Sequence, residues 1–463
     1  MNKQIIEPPR LASDHVDVTA AIAEPVKDRK IQIVVVGGGA GGLELAAKLG
    51  KKLGRKEYDV ILLEKNQTHI WKPLLHEVAA GSLDANLDEV GYRSHGHQNG
   101  YRFFLGALED IDRERREVIV APLYDENGVI IMNAHRIRYD YLVIAVGSVA
   151  NDFGVPGVTQ NCMFLESRKE ADRFRQKLLN QCLRVSRAMM MRPEADEFVR
   201  ITIVGGGATG VELAAELYNA AGALKHYGLE VFDESRLKVT LLEAGPRILP
   251  ALPEDLSEAA HEELVSLGVE VRINAQVTDV TPYGMRLATG DDVPGDLKIW
   301  AAGVKAPAFL ANIAGLETSR NHQLVVGPTM QTSRDNRIYA IGDCAHYQPR
   351  EAERPIPPRA QAAHQMADTA FGNIIRSIKG KPLRDFEYHD HGSIISLSSF
   401  STVGSLMGNL IGGRMAVEGR MARVMYVSLY RMHLLAIHGW LRGLFMIFVG
   451  HVNQVVRPRL KLH

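Results

Sequence analysis

Residues 31–44 read IQIVVVGGGAGGLE, a short β-branched run that ends in glycines and is followed by a helical pattern. Such a run predicts a buried parallel strand that enters a β-α-β unit. Residues 201–212, ITIVGGGATGVE, repeat the pattern further along the chain. The chain is therefore expected to contain two nucleotide-binding domains of the Rossmann type.

Further apolar runs alternate with Ala-, Leu-, Glu- and Lys-rich helical stretches, and this alternation indicates a doubly wound α/β fold. A third strand-to-turn junction is expected at 338–343, a helix over 359–378, and strands with turns over 391–413. The remaining strands are predicted at 58–63, 140–146, 238–242, 269–273 and 297–301.

A length of 463 residues allows two or three domains. We expect a flexible N-terminal extension, followed by one dinucleotide-binding domain in two parts on either side of a second dinucleotide-binding domain. C-terminal strands and amphipathic helices follow. The predicted boundaries are 1–30, 31–150, 151–330, 331–385 and 386–463.

Composition excludes several classes of protein. Lys and Arg together number 54 and so do Asp and Glu, so no global positive charge points to a nucleic-acid partner. Cys162, Cys182 and Cys344 are widely spaced and form no C-x-x-C pair, zinc spacing or disulfide framework. We therefore expect a reducing compartment and no metal site.

The first glycine-rich turn matches G-x-G-x-x-G between a strand and a helix. Gly37 permits the tight turn, Gly39 lets the backbone approach a pyrophosphate, and Gly42 allows close packing of helix on strand. Helix N-termini bind anions through their free N–H groups. Glu64 ends the next strand, where a ribose-binding carboxylate belongs.

The second turn places Gly205, Gly207 and Gly210 in the same pattern, with Glu243 as its ribose carboxylate. The spacing from Gly210 to Glu243 exceeds the usual one, and an insertion near 221–237 would account for the excess. A carboxylate accepts bonds from a 2′-hydroxyl and repels a 2′-phosphate, so NADH is expected over NADPH. Arg247 nearby weakens that preference slightly.

Gly342-Asp343 follows a predicted buried strand. Taken alone, Asp343 has two interpretations, a helix N-cap and an acid that holds a flavin ribityl hydroxyl. Two dinucleotide turns in one chain favour the second, because they indicate electron transfer between a bound flavin and a diffusible nicotinamide. In such a protein the cofactors perform the hydride chemistry, and the chain supplies orientation and exclusion of water.

Several segments together resemble the type II NADH:quinone oxidoreductases, from about residue 30 to His463. The similarity is to the bacterial respiratory NADH dehydrogenases of the enterobacterial type. The segments are the two Gly-Gly-Gly turns, HIWKPLL at 69–75, WAAG at 300–303, YAIGD at 339–343 and RAQAAHQ at 359–365.

The resemblance implies that the first turn holds FAD and the second holds NADH. Gln361 and Gln365 match the family's quinone signature, four residues apart on one helix face. The implied FAD contacts are Gly37, Gly39, Gly42, Glu64, Lys72, Gly147, Gly342 and Asp343. The implied NADH contacts are Gly205, Gly207, Gly210, Glu243 and Gly303.

Two further site residues follow from the resemblance, although the pattern departs from it there. Several members carry a lysine where this chain has His391, before Gly392, so His391 is a candidate proton donor to the quinone. Glu166 lies where some members place an acid near the nicotinamide. The alternative for Glu166 is a cap on the helix that begins near Ser167.

The C-terminal segment 414–463 carries eight Lys and Arg residues and one acid, Glu418. Residues 420–456 are predicted to form one or two helices with an Arg-rich face opposite a Met, Leu and Trp face. The uncharged run is too short to span a bilayer, so we expect an amphipathic helix at an anionic lipid surface. The alternative is a helix pair that packs in the core or forms a homodimer.

These features predict a peripheral enzyme on the cytoplasmic face of the bacterial inner membrane. It would pass hydride from NADH to FAD and two electrons from FAD to ubiquinone or menaquinone. With no spanning helix expected, it would not pump protons. Two alternatives stay open, a sulfide:quinone oxidoreductase that uses Cys162 and Cys344, and an NADH-binding flavoprotein with a scaffold or signalling role.

Overall fold

The computed structural model describes most of the chain from Arg29 to Val449. The predicted extension over 1–30 and most of the basic C-terminal segment lie outside the described residues. Those residues are 29–83, 89–192, 194, 196–224, 232, 234–397, 401–408, 413–418, 431, 434–439, 441 and 443–449.

The first layer is a six-stranded sheet that takes strands from both ends of the chain. All its neighbours are parallel except the pair at one edge, Gln331–Thr332 with Asp335–Ala340. Its inner strands Ile31–Val36, Tyr58–Glu64 and Tyr141–Ile144 are rich in Ile, Leu and Val and largely buried, as is typical of parallel sheets. The spatial order is Gln331–Thr332, Asp335–Ala340, Tyr141–Ile144, Ile31–Val36, Tyr58–Glu64 and Arg102–Leu105.

A second parallel sheet contains the repeat of the first strand-turn-helix unit. It is built around Val199–Val204, which pairs on one side with Leu237–Leu242 and on the other with Leu297–Trp300. Its spatial order is Glu270–Arg272, Leu237–Leu242, Val199–Val204 and Leu297–Trp300. The α/β prediction with two Rossmann-type sheets is confirmed.

The helices cover these sheets, and α1 packs against α8 across the start of the first sheet. Short 3₁₀ turns lie at Lys72–Leu74, Glu234–Arg236, Ala308–Gly315 and Gly342–Cys344. The α-helices are α1 Ala40–Leu53, α2 Leu75–Ala80, α3 Tyr92–Asn99, α4 Val158–Asn161, α5 Arg168–Met191, α6 Ala208–Leu224, α7 Glu254–Ser266 and α8 Ala360–Ile378.

The chain also forms smaller sheets, which are antiparallel except for the parallel pair Leu324–Val325 with Ala345–His346. The three-stranded sheets are His135–Arg138 with Glu117–Val120 and Leu108–Asp112, Val277–Val280 with Gly284–Leu287 and Asp292–Pro294, and Gly392–Leu397 with Ser401–Gly408 and Gly413–Glu418. The two-stranded ladders are Val149–Ala150 with Val304–Lys305, Leu324–Val325 with Ala345–His346, Thr68–His69 with Val90–Gly91, and Leu123–Tyr124 with Ile130–Met132.

Within the segment 391–413, the predicted strands are present at Gly392–Leu397 and Ser401–Gly408, and the residues between them, where turns are predicted, lie outside the described residues. Further along, 434–438 and 443–449 are helical. Among the described helices, none combines the length and apolar character needed to cross a membrane.

Candidate functional site

The first glycine-rich turn has the geometry of a phosphate-binding turn. Gly37 has φ +102°, and a Cβ at Gly42 would lie 1.9 Å from the carbonyl oxygen of Gly37, so side chains are excluded at these two positions. A Cβ built on Gly39 meets no atom within 4 Å. The turn therefore faces open space at Gly39, where the first N–H groups of α1 are available to an anion.

The second turn repeats this geometry. Gly205 has φ +108°, and a Cβ at Gly210 would lie 2.0 Å from the carbonyl oxygen of Gly205. A Cβ at Gly207 meets no atom within 4 Å. Two turns in one chain thus present the same open backbone face at the N-terminus of a helix.

A carboxylate lies beside each turn. The N–H of Gly38 donates to Glu64 Oε2 at 2.8 Å, and the N–H of Gly206 donates to Glu243 Oε2 at 2.7 Å. Carboxylate oxygens have several lone pairs, so both glutamates retain acceptor capacity for a ribose hydroxyl.

Strand register explains the longer spacing to Glu243. Val36, the last strand residue before the first turn, pairs with Leu63, and Glu64 comes next. Val204, the last strand residue before the second turn, pairs with Leu242, and Glu243 comes next. The extra residues lie between α6 and the strand Leu237–Leu242, which agrees with the insertion predicted near 221–237.

Arg247 is occupied by backbone contacts. Its guanidinium donates to the carbonyl oxygens of Leu252 at 2.9 Å and Pro250 at 3.1 Å, and a longer contact of 3.5 Å reaches Leu249. These bonds hold the side chain against its own loop. Arg247 therefore does little to weaken the preference for NADH that Glu243 predicts.

Asp343 lies in a polar cluster after the strand Asp335–Ala340. Its Oδ2 accepts from Ser148 Oγ at 2.7 Å, and its carbonyl oxygen accepts from Gln323 Nε2 at 3.0 Å. Lys72 Nζ donates to the carbonyl oxygen of Ser148 at 3.4 Å. Asp343, Lys72 and the Gly147-Ser148 turn, far apart in sequence, are thus brought together.

This cluster meets the first turn and α8 at one place. A Cβ at Gly41 would lie 2.8 Å from the carbonyl oxygen of Ala363, and one at Gly342 would lie 3.4 Å from Ala363 Cβ. The N–H of Gly342 also contacts Met366 Sδ at 3.3 Å. The N-terminus of α1, the Gly342 turn and the first turns of α8 therefore form one wall.

Gln361 and Gln365 both face the segment that precedes the strand Gly392–Leu397. Gln361 donates to Asp390 Oδ1 at 3.1 Å and to the carbonyl oxygen of Gly392 at 3.0 Å, and it accepts from the N–H of His391 at 3.0 Å. Gln365 donates to the carbonyl of His389 at 2.8 Å and accepts from its N–H at 2.9 Å. The amides hold residues 389–392 against α8.

His391 is exposed beside Gln361, so the structure brings two of the predicted quinone-site residues together. Glu166 lies elsewhere, where its carboxylate accepts from the N–H of Ala150. Ala150 pairs with Val304, which directly follows Gly303, so Glu166 contacts the small ladder beside which Gly303 lies.

The alternative for Glu166 as a helix cap is wrong. Ser167 is the N-cap of α5, and its Oγ accepts from the N–H of Glu170 at 3.3 Å. The Glu170 carboxylate accepts from the N–H of Glu166 at 3.0 Å and from Ser167 Oγ at 3.1 Å, so Ser167 and Glu170 together form the start of the helix. The Glu166 carboxylate takes no part in this cap.

Two buried glutamates were not singled out from the sequence. Glu44 and Glu212 end the two repeated turn motifs, and both are almost fully buried. Glu212 Oε2 lies 3.6 Å from His76 Nδ1, and its Oε1 accepts from the N–H of Ser396 at 3.1 Å. The repetition of a glutamate at the same motif position was the available signal, since buried carboxylates are rare.

Burial dominates the titration of this second pair. It raises the pKa of Glu212 to about 8, against the lowering effect of the Ser396 bond. It also lowers the pKa of His76 to about 4, against a hydrogen bond to the Pro73 backbone. Both side chains are therefore held in their neutral forms near pH 7.

The three cysteines are free thiols, and Cys182 and Cys344 are buried. Burial raises the pKa of each thiol to about 12, which disfavours the reactive thiolate. The structure thus gives no support to a Cys162–Cys344 redox pair. In the described part of the chain, no group of three or more His, Cys, Asp or Glu side chains is arranged to hold a metal ion.

The family model for pyridine nucleotide-disulphide oxidoreductases matches residues 31–367. A type II NADH:quinone oxidoreductase from Haemophilus influenzae is 47% identical over 442 residues, which cover 93% of this chain and 99% of that protein. This chain belongs to the type II NADH:quinone oxidoreductase family. A member from Staphylococcus aureus is 28% identical over 84% of this chain and 93% of its own length.

Solved structures show the same fold as this type II NADH:quinone oxidoreductase family member. NDH2 from Plasmodium falciparum, in complex with NADH, has a TM-score of 0.77 at 20% identity and covers 94% of this chain and 100% of its own. The sulfide:quinone oxidoreductase from Aquifex aeolicus has a TM-score of 0.69 at 18% identity, and the match covers 92% of this chain and 95% of that protein. At these identities the likeness concerns the fold alone.

Proposed function

We propose that this chain is an FAD-dependent NADH:quinone oxidoreductase that acts at a membrane surface. The observation that carries the proposal is the pair of equivalent turns, each with an open backbone face and a carboxylate bonded to it. One turn lies against the Asp343 cluster and α8, and the other lies in the second sheet. Two dinucleotides in one chain fit electron transfer from a nicotinamide to a bound flavin.

The first site fits FAD. Gly39 leaves room for the pyrophosphate, Glu64 faces the ribose position, and Asp343 with Lys72 and the Gly147 turn provides polar groups for the rest of the cofactor. When bound, the flavin accepts a hydride from the nicotinamide and delivers two electrons to the second substrate. The chain's own task here is to bind and orient that group.

The second site fits NADH as a substrate. Gly207 leaves room for a pyrophosphate, and Glu243 faces the ribose position. The ladder that joins Val149–Ala150 to Val304–Lys305 begins directly after Gly303, and the Glu166 carboxylate accepts from the N–H of Ala150 within it. We infer that this ladder positions the nicotinamide end and that Glu166 lies beside it.

For the quinone we propose the surface formed by α8 and residues 389–392. Both hydrogens of the Gln361 amide are used to hold this segment. The glutamines therefore act here by positioning the segment, and a remaining lone pair on Gln361 Oε1 is available to a substrate. The exposed His391 ring beside Gln361 is the proposed contact with the quinone oxygen.

The membrane surface is proposed for the end of the chain, including the predicted lipid-binding segment 414–463. The helical segment 434–438 is fixed to the body, because His95 Nε2 bonds the carbonyl oxygen of Ile437 at 2.9 Å. Beyond it Leu441 is 87% exposed, and Phe445 and Phe448 are 67% and 65% exposed. Their spacing places them on one face, as in helices that lie in a bilayer interface.

Docking by this face would bring the enzyme to quinone dissolved in the bilayer. In a bacterial cell, the supply of NADH places the docked enzyme on the cytoplasmic face of the inner membrane. The basic residues of 414–463 would then contact anionic headgroups. The homodimer stays a prediction, to be tested by light scattering of the detergent-solubilised protein.

An anaerobic titration tests the proposed function. We expect NADH to bleach the flavin absorbance of the purified protein and a short-chain ubiquinone to restore it. Bleaching by sulfide but not by NADH would favour the sulfide alternative, and a flavin that turns over negligibly with quinone would favour the scaffold alternative. Replacement of Cys162 and Cys344 by Ser is expected to leave quinone reduction by NADH intact.

A further inference from the structure

A buried cluster of charged side chains joins α1 to α8. The Glu44 carboxylate, on α1, contacts His364 Nδ1 of α8 and lies 2.5 Å from Lys48 Nζ, one turn further along α1. Lys48 in turn contacts Asp368, one turn beyond His364. The series runs from a carboxylate that is 62% exposed, Asp368, to one that is only 5% exposed, Glu44.

Glu44 is charged despite its burial. Burial raises its pKa, but the hydrogen bonds and charges of His364 and Lys48 outweigh that effect and hold the pKa below its ordinary value. A buried carboxylate of this kind requires cationic partners, because an unpaired buried charge is strongly destabilising. The ionised Glu44 therefore places a negative charge in contact with the His364 imidazole.

His364 lies on the same helix as the two glutamines of the proposed quinone surface, directly before Gln365, and its ring contacts Glu44 of α1. Its ring stacks on Trp71, with centroids 5.8 Å apart and an interplanar angle of 27°. Trp71 immediately precedes Lys72, a proposed flavin contact. The ring is 24% exposed, so it lies at the boundary between the buried cluster and the outside of the protein.

Quinone reduction needs a proton that the flavin does not supply. A quinone takes up two electrons and two protons to become a quinol, and the reduced anionic flavin provides two electrons and one proton. The second proton must come from the protein or from water. A cationic imidazole beside the quinone surface is a suitable donor, since general acids of this type are matched to neutral pH.

We propose that His364 is the donor of this second proton, and that Glu44 is the positioning residue that orients the ring and stabilises its charged form. The proposal rests on the proposed quinone site at α8. An N–H bond of the imidazolium breaks as an O–H bond forms on the quinone, and the neutral ring then takes a proton from water. The Lys48–Asp368 pair connects Glu44 to the surface.

The groups that face His364 determine its charge balance. From α1 these are Glu44 and Lys48, from its own helix Asp368, and from the segment before Trp71 the buried His69. Burial lowers the pKa of His69 to about 4, so that ring is neutral near pH 7. Glu44 is therefore the anion in contact with the imidazole.

The test uses full-length enzyme with its flavin and follows each half-reaction separately by stopped flow. In His364→Asn we expect bleaching by NADH at the wild-type rate and reoxidation by a short-chain ubiquinone slowed by about 100-fold. Reoxidation by ferricyanide, which takes electrons without protons, is expected to stay within about two-fold of wild type. His97→Gln, on the exposed face of α3, is the matched control.

Glu44→Gln retains the size of the side chain but removes its charge. We expect reoxidation by quinone to slow while reoxidation by ferricyanide stays at the wild-type rate, because the His364 ring loses the charged carboxylate that orients it. In His364→Ala, imidazole in the buffer is expected to restore part of the quinone-dependent rate. This rescue provides a measurement that does not depend on the stability of the Glu44 variant.

The outcomes separate this proposal from the proposed function. If quinone does not reoxidise the wild-type enzyme, the proposed function fails. If it does, and His364→Asn reoxidises at the wild-type rate, the proton-donor proposal is overturned. An equal loss with ferricyanide and quinone also overturns it, because it would show a structural role for the cluster.

Discussion

Gly39 and Gly207, the glycines that face open space in the two glycine-rich turns, provide a test of which dinucleotide each turn binds. Gly207→Ala adds a methyl group where no protein atom lies within 4 Å, at a residue whose backbone is not left-handed, so the fold should tolerate it. A pyrophosphate in contact with the turn would be pushed away. The loss of one backbone N–H bond to a charged group amounts to about 1.5–3 kcal/mol.

That loss corresponds to about a 10- to 150-fold rise in the dissociation constant for NADH. It can be measured from the concentration dependence of flavin bleaching under anaerobic conditions. Flavin content and Tm should equal those of wild type. A dissociation constant within two-fold of wild type would refute the placement of the NADH pyrophosphate at Gly207.

Gly39→Ala in the first turn is the matched variant. It too adds a methyl group in open space, but at the proposed FAD site. We expect purified Gly39→Ala to contain much less FAD, with the apoprotein still folded. If the assignments of the two turns were reversed, the two variants would exchange their effects.

Three more predictions concern separate parts of the molecule. Glu243→Ala removes the carboxylate that faces the ribose position, so we expect the ratio of kcat/KM for NADH over NADPH to fall by about 10-fold, measured by steady-state assay. Burial raises the pKa of Glu212 to about 8 in the folded protein, above the pKa of the same group in the unfolded chain. The free energy of unfolding therefore falls as the pH rises from the unfolded-state pKa toward 8. The free energy of unfolding of Glu212→Gln, measured by urea denaturation, should therefore rise relative to that of wild type by up to about 1.4 kcal/mol per pH unit between pH 6 and 8. Leu441→Asp with Phe445→Asp is expected to weaken binding to anionic vesicles by at least about 10-fold in a flotation assay, because both apolar side chains would otherwise be buried in the interface.

Controls distinguish these effects from general damage. Ile131→Asp alters an apolar residue that is also exposed, at 62%, but is distant in sequence from Leu441 and Phe445. It should leave vesicle binding unchanged. An unchanged cofactor ratio in the Glu243 variant would contradict the role of that carboxylate. A difference in unfolding free energy that does not vary with pH would show that Glu212 is ionised in the folded protein.

The repeated glutamates show how one motif serves two purposes. Glu44 is ionised because His364 and Lys48 contact it and hold its pKa below the ordinary value, whereas burial raises the pKa of Glu212 to about 8 and holds that carboxyl group neutral. The same residue at the same motif position thus has opposite charge states in the two halves of the chain. The difference arises from the helices packed against each turn.

Residue type and spacing were enough to predict the features that depend on local chemistry. Residue type and spacing predicted the strands that enter both turns, the glycines at Gly37 and Gly205, and the helix α8. These features were predictable because a positive φ and the periodicity of a helix depend on residues that are close in sequence. The two-domain α/β architecture followed from the duplication of the motif.

Contacts between residues that are far apart in sequence could be identified only from the folded structure. The equivalence of Glu243 to Glu64 depends on strand register, which an insertion hid from a spacing count. The bonds from Gln361 and Gln365 to residues 389–392, and the contact of Glu44 with His364, join segments that no local pattern connects. Such contacts are fixed by packing of whole elements, so the charge of a buried group becomes predictable only when its neighbours are in place.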